Sequence, residues 1–351
     1  MTFYQELQLN QVGSKKVIRE SKTMREKWYH ILVYLLKIAI TVSFCFFFVT
    51  LYSLIFGAGN SIVGVVVLLH LLVFKNADLR IDAKQSTGLL ALFFGIMTIA
   101  PHLANMANPF VGLLINAASI LILILFGCHE PRMFNQSTLV LSYLLLYGYD
   151  VSGADYRTRL AGMAVGAVLV CGVFYKNHRH QTYDLRVQDI LPAFTLTHTR
   201  SKWQLCQILC VPLVIFLAEL FGMPRAMWAG IAAMSAILPA MEDMQSRVRG
   251  RIIGNIAGVL CFFVLYTYLP SAIYAYIGVL GGIGVGFSAK YGWQAVFNTF
   301  GALAIASQLY GVPAAMGLRV FQNVFGVLFA LGFCLLFNRM MQRTERTKIT
   351  V

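Results

Sequence analysis

The chain has 351 residues, of which 58% are hydrophobic and only 12% charged, with a mean hydropathy of +0.71 and a formal net charge of +14. A soluble domain carries about 25% charged residues, so a water-soluble globular fold is excluded. Long apolar runs without period-two alternation exclude a transmembrane β-barrel and leave a polytopic α-helical membrane protein, whose helices need roughly 20 residues each to cross hydrocarbon.

Residues 1–29 form a polar leader with Lys15, Lys16, Arg19, Lys22, Arg25 and Lys27, expected as a short surface helix or a disordered arm. No cleavable signal peptide is expected, because the first apolar run is too long for an h-region. Apolar segments follow at about 30–56, 59–74, 86–101, 109–127, 133–148 and 159–175. A polar linker at 176–202 interrupts them. Six more run at about 203–221, 225–239, 251–268, 271–287, 291–309 and 317–337, and a basic tail at 339–351 closes the sequence. The expected plan is all-α, with twelve transmembrane helices in two six-helix sets, 30–175 and 203–338.

Charge gives an independent check on that count. With the N-terminus inside and the sides alternating, inside regions collect 23 of the 28 Lys and Arg. Outside loops hold Arg157, Arg159, Arg225 and Arg319, and Lys37 lies within the first segment. Cytoplasmic loops carry such an excess, so both termini are expected in the cytoplasm. The same rule accounts for the net charge without a nucleic-acid partner. The seven cysteines (Cys45, Cys128, Cys171, Cys206, Cys210, Cys261 and Cys334) lack the paired spacing of a zinc or redox site and are expected as unpaired small hydrophobes.

A unit recurs along the chain: a basic residue, then glycines down an apolar helix. It reads Arg251-Ile-Ile-Gly254-Asn-Ile-Ala-Gly258, returns as Arg159-Leu-Ala-Gly162-Met-Ala-Val-Gly166, and again as Arg319-Val-Phe-Gln-Asn-Val-Phe-Gly326. Small residues four apart let helix backbones approach closely in lipid, so Gly162, Gly166, Gly254, Gly258 and Gly326 are expected at helix contacts. Arg159-x6-Gly166-x5-Gly172-x6-Arg179 also matches Arg319-x6-Gly326-x5-Gly332-x6-Arg339. Phe134-Asn135 is expected to open the fifth helix as Phe297-Asn298 opens the eleventh, and Pro101 and Pro270 to follow the third helix of each set. Six is even, so both sets enter the membrane in one direction, as parallel repeats about the membrane normal.

Met227-Trp228-Ala-Gly230, followed by Arg247-x-Arg249-Gly-Arg251-Ile-Ile-Gly254-x3-Gly258, resembles the fusaric-acid-resistance (FUSC) superfamily of aromatic acid exporters. The resemblance is clearest over about 203–340 and faint over 30–175. It implies a bacterial plasma-membrane transporter for an aromatic carboxylate, working in efflux. Many bacterial members carry a large cytoplasmic domain, where this chain has only the linker at 176–202.

No HExxH, nucleophile-elbow serine or Walker A lysine is present, so neither an enzyme nor a cofactor or metal is expected. Polar groups inside apolar segments are the functional candidates. Lys37 could attract an anion or snorkel to the interface; His70 could titrate during transport or bond a neighbouring helix. Asn135 and Asn298, at matched places, could form a pair of amides near a central axis that binds a carboxylate, or could lock the bundle, and Asn255 carries the same alternatives. Arg251 could collect anions on the inner rim, while Arg159 and Arg319 stand outside against the charge rule, as anion exits or as partners of Asp150 or Asp155. The expected function is a secondary transporter or channel-like permease for an organic anion. Alternatives are a non-transporting scaffold for envelope enzymes and a major-facilitator-like transporter, although Lys75–Lys84 lacks the glycines of that family's loop. Expected partners are membrane lipids and a small organic anion, with a coupling proton and further copies of the chain as candidates.

Overall fold

The computed structural model describes residues 2–183 and 185–349, which are α-helical apart from loops, 3-10 turns and an isolated bridge between Ile81 and Leu185. The last residues of the expected tail, 350–351, lie outside the described residues. The leader forms two short helices, Phe3–Leu7 and Gln11–Glu20, capped by the side chains of Thr2 and Asn10. There follow α1 (Met24–Phe56), α2 (Ser61–Phe74), α3 (Ala83–Met106), α4 (Pro109–Gly127), α5 (Gln136–Gly148) and α6 (Gly153–His178). After the linker come α7 (Thr199–Leu220), α8 (Met227–Ala236), α9 (Met241–Tyr268), α10 (Ile277–Phe287), α11 (Tyr291–Tyr310) and α12 (Val312–Ile349). Seven of these are long and apolar enough to cross a membrane: α1, α3, α4, α6, α7, α9 and α12; α8 and α10, and α2 with the 3-10 turn before it, are shorter apolar helices. The protein is a multi-pass helical membrane protein.

Local chemistry sets many of the ends. Asp82 accepts from the Lys84 and Gln85 amides to start α3, and Asn108 caps α4 with Pro109 at the first helical position, where its missing N–H costs nothing. Two expected landmarks move. Pro101 lies inside α3, which continues to Met106. Proline removes one hydrogen bond there, and packing of the helix carries it past the gap. Phe297 and Asn298 lie about two turns inside α11 rather than at its start.

The chain divides into two compact units whose boundaries fall inside α1, α9 and α12. Unit one comprises Met1–Phe47 and Arg249–Phe321; unit two comprises Phe48–Val248 and Gln322–Val351. In unit two, α3 packs on α4 and α6, α2 on α6, and α7 on both α4 and α8. Phe93, Phe94, Met97, Tyr143 and Trp228 are fully buried there. In unit one, α10 packs on α11, with the Gly281 face meeting the Phe297 carbonyl and the Gly284 face meeting the Phe297 ring.

The cysteine expectation is corrected in unit two: Cys206 on α7 and Cys334 on α12 form a disulfide, with Cα atoms 6.4 Å apart. They stand 128 residues apart, so only the fold brings them together. Cys45, Cys128, Cys171, Cys210 and Cys261 are free thiols.

Candidate functional site

In unit one, α9 carries Arg251, Asn255, Phe262 and Tyr266 at spacings of four, seven and four, which places them along one stripe of a helix. The sequence folds this way because Gly254 and Gly258 let α11 come close. A Cβ on Gly254 would stand 2.5 Å from the Gly292 carbonyl oxygen, and one on Gly258 would stand 2.6 Å from that of Val296. Two backbones at this distance leave no room for a side chain. Across the seam, Arg251 Nη1 donates to the Tyr291 hydroxyl at 2.8 Å. Asn255 Nδ2 donates to the Arg251 carbonyl at 3.0 Å, and its Oδ1 accepts from Thr299 Oγ1 at 3.1 Å. Arg251, Asn255 and Thr299 are all buried. Beyond Phe262 the seam opens into a recess lined by Tyr266, Tyr274, Ser307 and Gln308. The Tyr266 and Tyr274 rings stack at 4.2 Å. The stripe thus runs from a guanidinium, through an amide–hydroxyl pair, to an aromatic recess with two polar side chains.

Lys37 is engaged elsewhere in the same unit. Its Nζ donates to the Leu9 carbonyl at 2.9 Å and to Ser14 Oγ at 2.5 Å. With the 2.7 Å contact between His30 Nδ1 and the buried Glu6 carboxylate, it pins the leader along the first half of α1. Asn298 is exposed on α11.

Unit two holds a separate polar cluster around Arg159, which is 1% exposed. Its Nε donates to Asn60 Oδ1 at 3.0 Å, its Nη2 donates to the Tyr149 carbonyl at 2.6 Å, and its Nη1 lies 3.6 Å from Asp150. Asp150 also meets His102 Nδ1 at 2.9 Å, and the His102 ring stacks on Tyr156 at 3.9 Å. Asn60 Nδ2 in turn donates to the Asp155 carbonyl and to Thr158 Oγ1, both at 2.9 Å. Of the two acids considered for Arg159, the one facing it is Asp150.

The remaining candidates of unit two make local contacts. His70 is fully buried; its Nδ1 donates to Val66 O at 2.8 Å, within its own helix rather than across to a neighbour, and its ring faces Phe94 and Phe74. Asn135 Nδ2 donates to the Asp78 and Gly127 carbonyls, each at 2.9 Å, and so ties the loops before α3 and α5 together. Asn135 is buried and Asn298 exposed, so the two amides do not share an environment. Tyr52 donates to the Gly162 carbonyl at 2.6 Å. Gly166 is closed by Val67, and Gly326 by the Ala229 carbonyl. In unit one, Arg319 is buried at the N-terminal end of α12.

Sequence reasoning missed Tyr266, Tyr274 and Tyr291. The first could have been found by extending the Arg251–Asn255 spacing down α9; the others depend on which helices pack on α9.

Residues 213–333 match the family described as fusaric acid resistance protein-like, which covers α8 to α11 whole, the C-terminal third of α7 and the N-terminal half of α12. Over this stretch the chain is similar to the FUSC superfamily. No curated protein and no solved structure matches. The stripe on α9 and its recess both fall within the FUSC-matched residues, whereas the Arg159 cluster falls outside them. The family points to membrane transport.

Proposed function

We propose that this FUSC-type protein is a secondary transporter or channel-like permease that moves an organic anion, with an aromatic carboxylate as the substrate class and efflux from the bacterial cytoplasm as the direction. The observation that supports this reading is the α9 stripe: Arg251 offers a planar donor fork to a carboxylate, and the Tyr266–Tyr274 recess offers faces to a ring. A charged guanidinium inside an apolar helix is costly and is retained where it has a task. The plan we favour keeps twelve membrane helices as two parallel repeats, with both termini inside. It draws support from the two matched glycines, since Gly166 seats α6 on α2 and Gly326 seats α12 on α8.

Efflux of small aromatic carboxylates from proteoliposomes, normalised to protein amount, tests the reading. Arg251→Gln should lower the rate at least tenfold, and Arg251→Lys should restore only part of it, because an ammonium lacks the bidentate fork. Normal rates in both variants would remove the case for Arg251. A second reading, a scaffold without transport, draws on Lys37 and Arg159, each satisfied in local contacts. It predicts no carboxylate flux above empty liposomes from the native protein.

A further inference from the structure

We propose that Cys206 and Cys334 form a reversible thiol–disulfide exchange site that reacts with a low-molecular-weight disulfide of the glutathione class. The two sulfurs are joined in the structure and their Cα atoms lie 6.4 Å apart, within the range a disulfide requires. Both residues are 4% exposed, yet both line a recess with Lys202, Trp203, Met244 and Asn338, so an incoming sulfur has a route to them. Their position makes the pairing informative. Lys202 precedes Cys206 by one helical turn, and Arg339 follows Cys334 by about a turn and a half, so both thiols sit at the ends that the basic residues assign to the cytoplasm. Cytoplasmic thiols are kept reduced, and a disulfide found there is typically transient rather than permanent.

Lys202 and Cys206 share a helix face at the i, i+4 spacing, and a neighbouring ammonium favours the thiolate, which is the reactive form. The exchange then balances without a further oxidant. The Cys206 thiolate attacks one sulfur of glutathione disulfide; that S–S bond breaks, a mixed disulfide forms on Cys206, and one glutathione leaves as its thiolate. The Cys334 thiolate attacks the Cys206 sulfur, closes the protein disulfide and releases the second glutathione. Two electrons pass from the protein dithiol to the small disulfide.

The test uses the full-length protein in detergent, reduced with dithiothreitol, desalted and exposed to glutathione disulfide, followed by alkylation and non-reducing peptide mapping. Expected is loss of alkylation at Cys206 and Cys334 together with a linked peptide pair, reversed by fresh dithiothreitol in the native state. Cys261, exposed on α9, reports non-selective oxidation. In Cys334→Ser, which lacks the resolving thiol, Cys206 should retain one glutathione. The melting temperature of the oxidised form should exceed that of the reduced form by several degrees, because the cross-link closes a long loop. Full alkylation of both cysteines after glutathione disulfide, in protein whose circular dichroism is unchanged, would overturn the proposal. So would a linkage that native-state dithiothreitol leaves intact.

Discussion

Two buried arginines, each followed by glycines on an apolar helix, are held in different ways. In unit two, Arg159 faces a carboxylate, an amide oxygen and a backbone carbonyl, and Asp150 is shared with His102. In unit one, Arg251 donates to the Tyr291 hydroxyl across the seam between α9 and α11. The same sequence unit thus supports a lock in one place and a candidate anion contact in the other. A basic residue before a glycine pair marks where a helix meets a neighbour; the partner chemistry, which the unit does not contain, decides what the cation does.

Breaking the lock gives the largest expected effect. Arg159→Ala takes the charged donor from the Asn60 amide oxygen and the Tyr149 carbonyl and leaves Asp150 with His102 alone, and a hydrogen bond to a charged group is worth about 1.5–3 kcal/mol. Folded yield and thermal denaturation in detergent should fall sharply, and Arg159→Met combined with Asp150→Asn should recover part of the loss. Arg251→Gln should keep near-native yield, because a glutamine amide can still donate to Tyr291. Equal destabilisation by the two single substitutions would break the comparison.

The glycine seams sharpen it at intermediate size. Gly254→Leu in unit one and Gly326→Leu in unit two each push a side chain into backbone, and overpacking costs about 1–3 kcal/mol. Gly172→Ala, with open space at its Cβ, should melt with the native protein. A matching loss at Gly172 would show that glycine in these helices serves something other than close approach.

The helical class, the order of the apolar segments and the contact role of the glycines were legible in the sequence, because each follows from composition or from spacing along one helix. Partnerships between distant residues were not. Asp150 has no partner at helical spacing, and its contacts, His102 and Arg159, come from α3 and α6. Cys206 and Cys334 share no motif, since a disulfide needs nearby Cα atoms rather than nearby positions. Asn135 and Asn298 were matched as Phe-Asn pairs opening the fifth helix of each set, but α11 begins at Tyr291, so Asn298 falls on an exposed face two turns in, whereas Asn135 sits in the turn before α5. A shared dipeptide carries residue identity between repeats; it does not carry helix phase.

The smallest effect concerns a cation in the first turn of α7, set apart from both buried arginines. His129 follows α4, and Arg200 Nη1 donates to its Nε2 at 2.8 Å while Arg200 Nη2 holds the Ala193 carbonyl. An arginine can only donate, so Nε2 must carry its lone pair and the neutral ring must carry its proton on Nδ1. Burial lowers the His129 pKa from its ordinary value of 6.5, the Arg200 charge lowers it further, and Glu130 opposes them weakly. Protonation would put a second N–H against the guanidinium and break that bond. Because the folded pKa lies below the unfolded one, the unfolded chain binds the extra proton first. The contribution of this contact to stability is therefore complete above about pH 6.5 and is lost as pH falls from there through the folded pKa. His129→Gln keeps an acceptor for Arg200 without a titrating ring, so it should flatten the acid side of the melting-temperature profile below about pH 6.5 while leaving the neutral value almost unchanged. An unchanged acid slope in that variant would show that Arg200 is held by the Ala193 carbonyl alone, and that protonation of His129 does not reach it.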